Sequence, residues 1–553
     1  MSPCPFAGNQ GAGPKPTYPA PPATDQAPAL PLEPASDSDG IVNDPPSRRT
    51  MLRVGIVAAA VAALSGLDLA APVQRQAFAA PPVLPDIQFA IGSYLAPAVR
   101  MTEAGAPTGG TMFGFGPVYT LFLTAKLTRM PTKADRLVLE QALRTVEAHY
   151  AFSASGVFSH ISYGVPYFNK LPGGIRGPLV TKYLPKLIDD HTRQVLEEAV
   201  PGPTDVHPSN PAISKPRFNV PVQIEGNDVL ITLRSDLKDN LYDVRNWLFG
   251  SSVLKKARVP APAFNRLFTW TSSRLMFGGR GLPRKIADAE KLPYASYVHP
   301  DSPMWMGFAD MVADAFGPPA ICTFQGNRSA RLTTETGTGY FANSSIQVLN
   351  HVILDLEEWY LTNGSEILPR NGDVTYLERA QYMYRPNDPP AFGRADQFTD
   401  GGGPTFLPNV YQGADDARNG CMFGSYQPGV DTAAPGVNSA HKILGHISTL
   451  QRSSRAADGT PLHIRVDGPG YDAMDVPDGS NQPKLHFSAL VPTADLFRRM
   501  RISQASADLA EEFRVERGDQ GLEHRITATR RQNFLMPRRR NRSFPLLELV
   551  PGR

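Results

Sequence analysis

Gly445–Phe487 reads GHISTLQRSSRAADGTPLHIRVDGPGYDAMDVPDGSNQPKLHF. A short β-like segment, Gly445–Leu450, carries His446, and beyond a polar loop a second, Leu462–Val466, carries Arg465. A connection rich in Gly, Pro and Asp leads to a third apolar strand, Leu485–Val491. An imidazole and a guanidinium therefore stand on neighbouring extended segments. Such a pair suits iron and peroxide chemistry, since neutral imidazole is a common iron ligand and arginine keeps its charge at any working pH. One His and one Arg on strands serve equally well as packing or surface residues, so spacing alone leaves both readings open.

Around this stretch the chain has 553 residues, more than one hydrophobic core usually serves. Its 55 basic and 52 acidic residues give a net charge of only +3, which calls for no nucleic-acid partner. With 54 prolines and 47 glycines, many turns and long loops are expected.

Residues 1–46 are dominated by Pro, Ala, Gly and Asp and read as a disordered tail, too poor in apolar side chains to repay ordering. Residues 47–80 follow with the pair Arg48-Arg49, a moderately apolar run Val54–Leu67 and the small-residue site Ala77-Phe78-Ala79. That pattern matches a twin-arginine export signal, cleaved outside the cytoplasm after the export machinery has moved a folded chain. The run is broken by Ser65, Gly66 and Asp68 and is short of the ~20 residues a membrane span needs, so no stable span is expected. Cys322 and Cys421 alone would remain in the mature chain, enough for one disulfide and for no cysteine-based zinc site.

The mature chain reads as α+β. Phe115–Arg129 and Asp228–Ser235 are strand-like, and Val157–Phe168 reads as a strand ending in a turn. Lys133–Tyr150 places Leu137, Leu139, Leu143 and Val146 near helical spacing, and Asp239–Gly250 does the same with Leu241, Val244 and Leu248. This succession suggests a ferredoxin-like half over residues 81–277, with His160 packed inside it. After the link Gly278–Lys285, a second half spans 286–553. It contains Met304–Gly317, the strand and helical turn of Ser344–Leu361, a proline-terminated helix Leu377–Pro386, and a Gly/Pro-rich insert at about 387–439. An insert of that length just before His446 suggests a lid over an access channel. Pro492–Phe513 should turn Leu496, Met500 and Ile502 toward a core, and six arginines in Thr529–Leu549 suit edge packing or anionic groups of a cofactor.

The order GHIS, HIRVDGPGYD, KLHF resembles the dye-decolourising peroxidases, a family of haem enzymes. YGVPYF, NDVLITLRSD, the segment Gly307-Phe308-Ala309-Asp310 and the strand SSIQVLNHVIL extend the resemblance over most of the mature chain. It implies two ferredoxin-like halves of the dimeric α+β barrel type, with haem b held in the C-terminal half. It makes His446 the axial iron ligand, with His463 as rival, Arg465 the distal arginine and Asp310 the distal aspartate, while Leu485 and Phe487 line the cavity. Hydrogen peroxide and a bulky organic electron donor would be the substrates, with Tyr471 a candidate point for donor oxidation. Met311 stands where the family has glycine, which favours a haem-binding relative without peroxidase turnover as an alternative; a non-haem structural descendant is the third reading.

Overall fold

A computed structural model describes residues 87–88, 99–101, 111–113, 117–264, 266–279, 281–298, 304–306, 323–324, 332–361, 437–438, 443–444, 463–505, 523 and 525–551. His446, Asp310, Met311, both late cysteines, the segment Leu377–Pro386 and nearly all of the 387–439 insert lie outside them, as does the proposed export signal. Among the described residues no helix is long and apolar enough to cross a membrane.

The first half runs β1 (Tyr119–Leu127), α1 (Lys133–His149), β2 (Phe158–Gly164), β3 (Val229–Ser235), α2 (Lys238–Leu248) and β4 (Phe268–Phe277). Its strands lie in the order β2-β3-β1-β4, all antiparallel, which is the ferredoxin-like arrangement of a βαββαβ unit. The second half repeats it with β5 (Ser345–Leu354), the edge pieces β6 (Ile464–Arg465) and β7 (Gly468–Asp472), β8 (Gln482–Val491), α3 (Ala494–Ala505) and β9 (Ile526–Met536). Here β6 and β7 both pair with β8, then come β5 and β9, so the order is again two-three-one-four.

The halves join where β9 pairs with β2 through Phe534 opposite Gly164 and Leu535 opposite Tyr163. A side chain at Gly164 would put its Cβ 2.4 Å from the Asn227 carbonyl, so the seam closes only around glycine. At the other end of the sheet β7 lies against β4, with the Cβ position of Gly468 3.1 Å from the Phe277 carbonyl. The sheet thereby curls on itself, and its inner face gathers Phe122, Leu230, Met276, Leu349, Val466 and Phe534 from both halves into one apolar layer. Polar groups bridge the halves beside it: Ser162 donates to Gln347 at 2.6 Å, and Gln347 donates to Thr232 at 3.1 Å.

Both faces of β1, β2 and β3 are covered, so β1 and β3 read as largely apolar runs while β2 buries Ser159, His160 and Ser162 between its apolar residues. Helix α1 starts at a capping box, in which the Thr132 hydroxyl accepts from the Asp135 amide and the Asp135 carboxylate accepts from the Thr132 amide at 2.7 Å. The hydrogen bond from Arg129 holds the Asp135 carboxyl down to about 2. Thr132→Ala is expected to lower unfolding stability by about 1 kcal/mol, read as a shifted urea midpoint with an unchanged slope.

Three details differ from the sequence reading. Leu137 is 67% exposed, and the apolar stripe of α1 is completed by Ala142 instead. Ile502 is 41% exposed, because α3 turns Leu496, Phe497 and Met500 inward and leaves that position outside their arc. Val165–Lys170 and Leu282–Ala289 are helical where a turn and a link were expected; Pro166 and Pro283 sit in their first turns, where proline starts a helix rather than breaking one. Five of the six C-terminal arginines are held by the protein itself, and Arg540 is exposed. Arg542 reaches Glu147 at 2.5 Å and Glu140 at 3.1 Å, Arg539 reaches Glu147, and Arg530 and Arg531 point to opposite faces of β9.

Candidate functional site

Directly opposed residues of an antiparallel pair share a face, and alternate residues along a strand return to it. Arg465 lies opposite Ala489, and Phe487 and Leu485 lie opposite Asn350 and Val352. The outer face of the C-terminal sheet therefore carries Arg465, Leu485 and Phe487 together, three of the five predicted site residues. Their neighbours Lys484, His486 and Ser488 are fully buried on the inner face, whereas Leu485 and Phe487 are only half-buried. Helix α3 covers part of this outer face, with Phe497 stacked on Phe487 at 5.7 Å and an interplanar angle of 20°.

The same face holds a buried cluster of charge. Asn350 opposes Arg531, whose guanidinium meets Asp205 at 2.5 Å, and Arg501 of α3 meets the same carboxylate at 2.8 Å. Burial and the neighbouring Arg501 push Arg531 down to about 10, still charged at neutral pH. Burial works to raise the Asp205 carboxyl, but Arg501 and Arg531 outweigh it and hold the group below its usual range.

Two approaches to the remaining predicted residues are visible. The backbone of Trp305-Met306, just ahead of Gly307–Asp310, is fixed by Trp359 donating to the Met306 carbonyl at 3.2 Å and Tyr360 to that of Trp305 at 2.6 Å. The Trp305 indole in turn donates to the Gly470 carbonyl on β7 at 2.9 Å. Ahead of His446, Ile443–Leu444 forms a small hairpin with Val437–Asn438. His463, the rival ligand, is buried beside β6, and Tyr471 is buried on β7 with its hydroxyl 3.4 Å from Glu290.

A second constellation, absent from the sequence reading, fills the inner face at the other side of β8. His351 on β5 lies opposite His486 on β8, and their rings stack at 4.9 Å. Asp472, at the end of β7, reaches His351 Nε2 at 3.6 Å and His486 Nε2 at 3.5 Å. Burial holds the His486 imidazole down to about 4, so it is neutral at pH 7. Beyond His351 an alternating chain of charge crosses both halves: Asp475 pairs with Arg530 at 2.6 Å, Arg530 with Glu225 at 3.3 Å, and Glu225 with Arg274 at 2.5 Å. A lone His in an apolar strand gives no hint of this. Only the cross-strand register, which brings residue 351 beside 486, makes the pair.

Residues 194–367 match the model of a family of unknown function, DUF7405. No curated protein matches the sequence. Among solved structures, the DyP-type peroxidase from Cellulomonas bogoriensis is similar at 13% identity, covering 78% of this chain and 94% of that one, with a TM-score of 0.42. The encapsulated DyP-type peroxidase from Mycobacterium smegmatis gives 13% identity, 80% and 96% coverage and a TM-score of 0.40. A DypB variant from Rhodococcus jostii RHA1 in complex with heme gives 13%, 80%, 98% and 0.40.

Proposed function

We propose that the chain is an exported haem peroxidase that reduces hydrogen peroxide and oxidises a bulky organic donor. One observation carries the reading: the register of β6 and β8 sets Arg465, Leu485 and Phe487 on one part-open sheet face, in the half whose sequence bears the peroxidase-like order. A half-buried apolar patch beside a cation fits the flat, apolar body and negatively charged substituents of haem b. Haem, when bound there, would supply the iron centre at which peroxide is reduced and the donor oxidised.

The chain's own residues would divide the remaining work. His446 Nε2 or Nδ1 would hold the metal, its other ring nitrogen donating to an acceptor. The Asp310 carboxylate would take the proton from one peroxide oxygen and return it to the other, which departs as the bond between them breaks. The Arg465 guanidinium would stabilise negative charge on that departing oxygen, and Leu485 and Phe487 would keep water from competing for both groups. Residues 47–80 would direct export and be removed, leaving two halves, 81–277 and 286–553.

Peroxide-dependent oxidation of an anthraquinone dye at acid pH, by haem-reconstituted protein, tests the reading. Arg465→Leu is expected to keep its Soret band while the rate of reaction with peroxide falls by about 10²–10³-fold, the usual cost of one such charge-stabilising group. Haem binding with no dye oxidation would favour the relative without turnover, the reading that Met311 supports.

A further inference from the structure

We propose that His351, His486 and Asp472 form a binding site for one divalent transition-metal ion of the zinc or iron(II) type, inside the barrel and separate from the haem face. The three residues come from three adjacent strands, β5, β8 and β7, and each turns one ligand atom inward within 4.8 Å of the others. Bonds of ~2.0–2.2 Å at a tetrahedral centre put ligand atoms about 3.3 Å apart. In the structure Asp472 Oδ1 lies 3.6 Å from His351 Nε2 and Oδ2 lies 3.5 Å from His486 Nε2, each close to that spacing and longer than an ordinary hydrogen bond.

The hydrogen bonds around His351 fix which of its nitrogens faces the site. Thr529 Oγ1 is 3.0 Å from the Asp475 carboxylate, which can only accept, so the hydroxyl proton goes there. The same oxygen then accepts from His351 Nδ1 at 3.0 Å, which leaves Nε2 as the nitrogen turned toward Asp472. That nitrogen faces a carboxylate oxygen, in a side chain wholly out of water, with no hydrogen-bond partner. The His486 ring is equally buried, and neither of its nitrogens has a hydrogen-bond partner. Buried polar atoms are almost always partnered, so unpartnered ring nitrogens converging on one carboxylate ask for a cation between them. Lys484 does not fill the gap: it stands 4.0 Å from Asp472 and donates to the Met474 carbonyl at 2.8 Å. The surroundings are those of a metal site. Ligating imidazoles are typically oriented by an acceptor at the far nitrogen that is itself held by another group, here Thr529 backed by Asp475 and Arg530. Gly470 leaves the room needed beside the ring, since a Cβ there would lie 2.4 Å from His486 Nε2.

The test uses the full chain, free of any histidine tag and of haem, stripped with chelator and titrated with zinc. One tightly held equivalent that survives gel filtration is expected, with binding weakened more than ~100-fold in His351→Gln and His486→Gln and about 10–100-fold in Thr529→Val. His463→Gln, a buried histidine outside the cluster, and His446→Ala are expected to keep the zinc, which separates this site from the haem reading. Should the ligand variants fail to fold, cobalt(II) bound to the unaltered chain decides: visible bands and X-ray absorption showing two imidazoles in the first shell support the site. Substoichiometric zinc, binding unchanged in the ligand variants, or a cobalt shell without imidazole would each overturn it.

Discussion

His446→Ala protein, supplied with haem, is expected to show no Soret band above that of free haem, while its far-UV circular dichroism stays that of the parent. Loss of the sole proposed bond from protein to iron leaves only apolar burial on the face of Leu485 and Phe487 and the charge of Arg465 to hold the group. Those contacts bind a flat apolar molecule without fixing its orientation. Reactivity toward peroxide should therefore disappear together with the spectrum, unlike in Arg465→Leu, where the spectrum outlives the rate. A normal Soret band in His446→Ala would move the ligand assignment to His463 or His441. The buried position of His463 beside β6 makes it the first to replace.

Asp205→Ala should destabilise the fold by about 3–5 kcal/mol, the cost of leaving a buried charge without its partner. The carboxylate is 3% exposed and accepts from Arg531, Arg501 and the Gly202 amide, so its removal strands two guanidiniums beneath the outer sheet face. Arg531→Met alone should cost less than Asp205→Ala, because Arg501 still neutralises the remaining acid. The pH dependence has a definite sign. A carboxyl held below its unfolded value stabilises the fold above pH ~4 and loses that contribution as pH falls through the folded value. Parent and variant should thus differ by a constant amount from pH 5 to 8 and converge in acid, as chemical denaturation at several pH values would show.

Strands covered on both faces announce themselves, and Val229–Ser235 and Tyr119–Leu127 were legible for that reason. So was α1, though a stripe read from leucines alone took in Leu137 and overlooked Ala142, a small residue that buries little area yet lets a helix approach closely. Pro166 and Pro283 misled because proline marks turns and first helical turns alike. On the outer face, Leu485 and Phe487 were placed with Arg465 through the resemblance of the order HIRVDGPGYD, KLHF to the peroxidase family, and the register of β6 and β8 sets all three on one face. The inner cluster was illegible. His486 stands between those two apolar residues, but its partner is more than a hundred positions away, and the register that joins them is set by the whole sheet.

Among the described strands of the sheet β9 comes latest in sequence, yet it lies in the middle, flanked by β5 and β2. A ribosome therefore delivers the keystone after every other strand of the sheet. Until residue 536 has cleared the exit tunnel, β2 and β5 both present unpaired edges, each inviting another molecule's strand. A chaperone that shields nascent edges should matter more for this protein than for one whose halves are joined early. Chains cut short before β9 should aggregate rather than persist as a soluble first half.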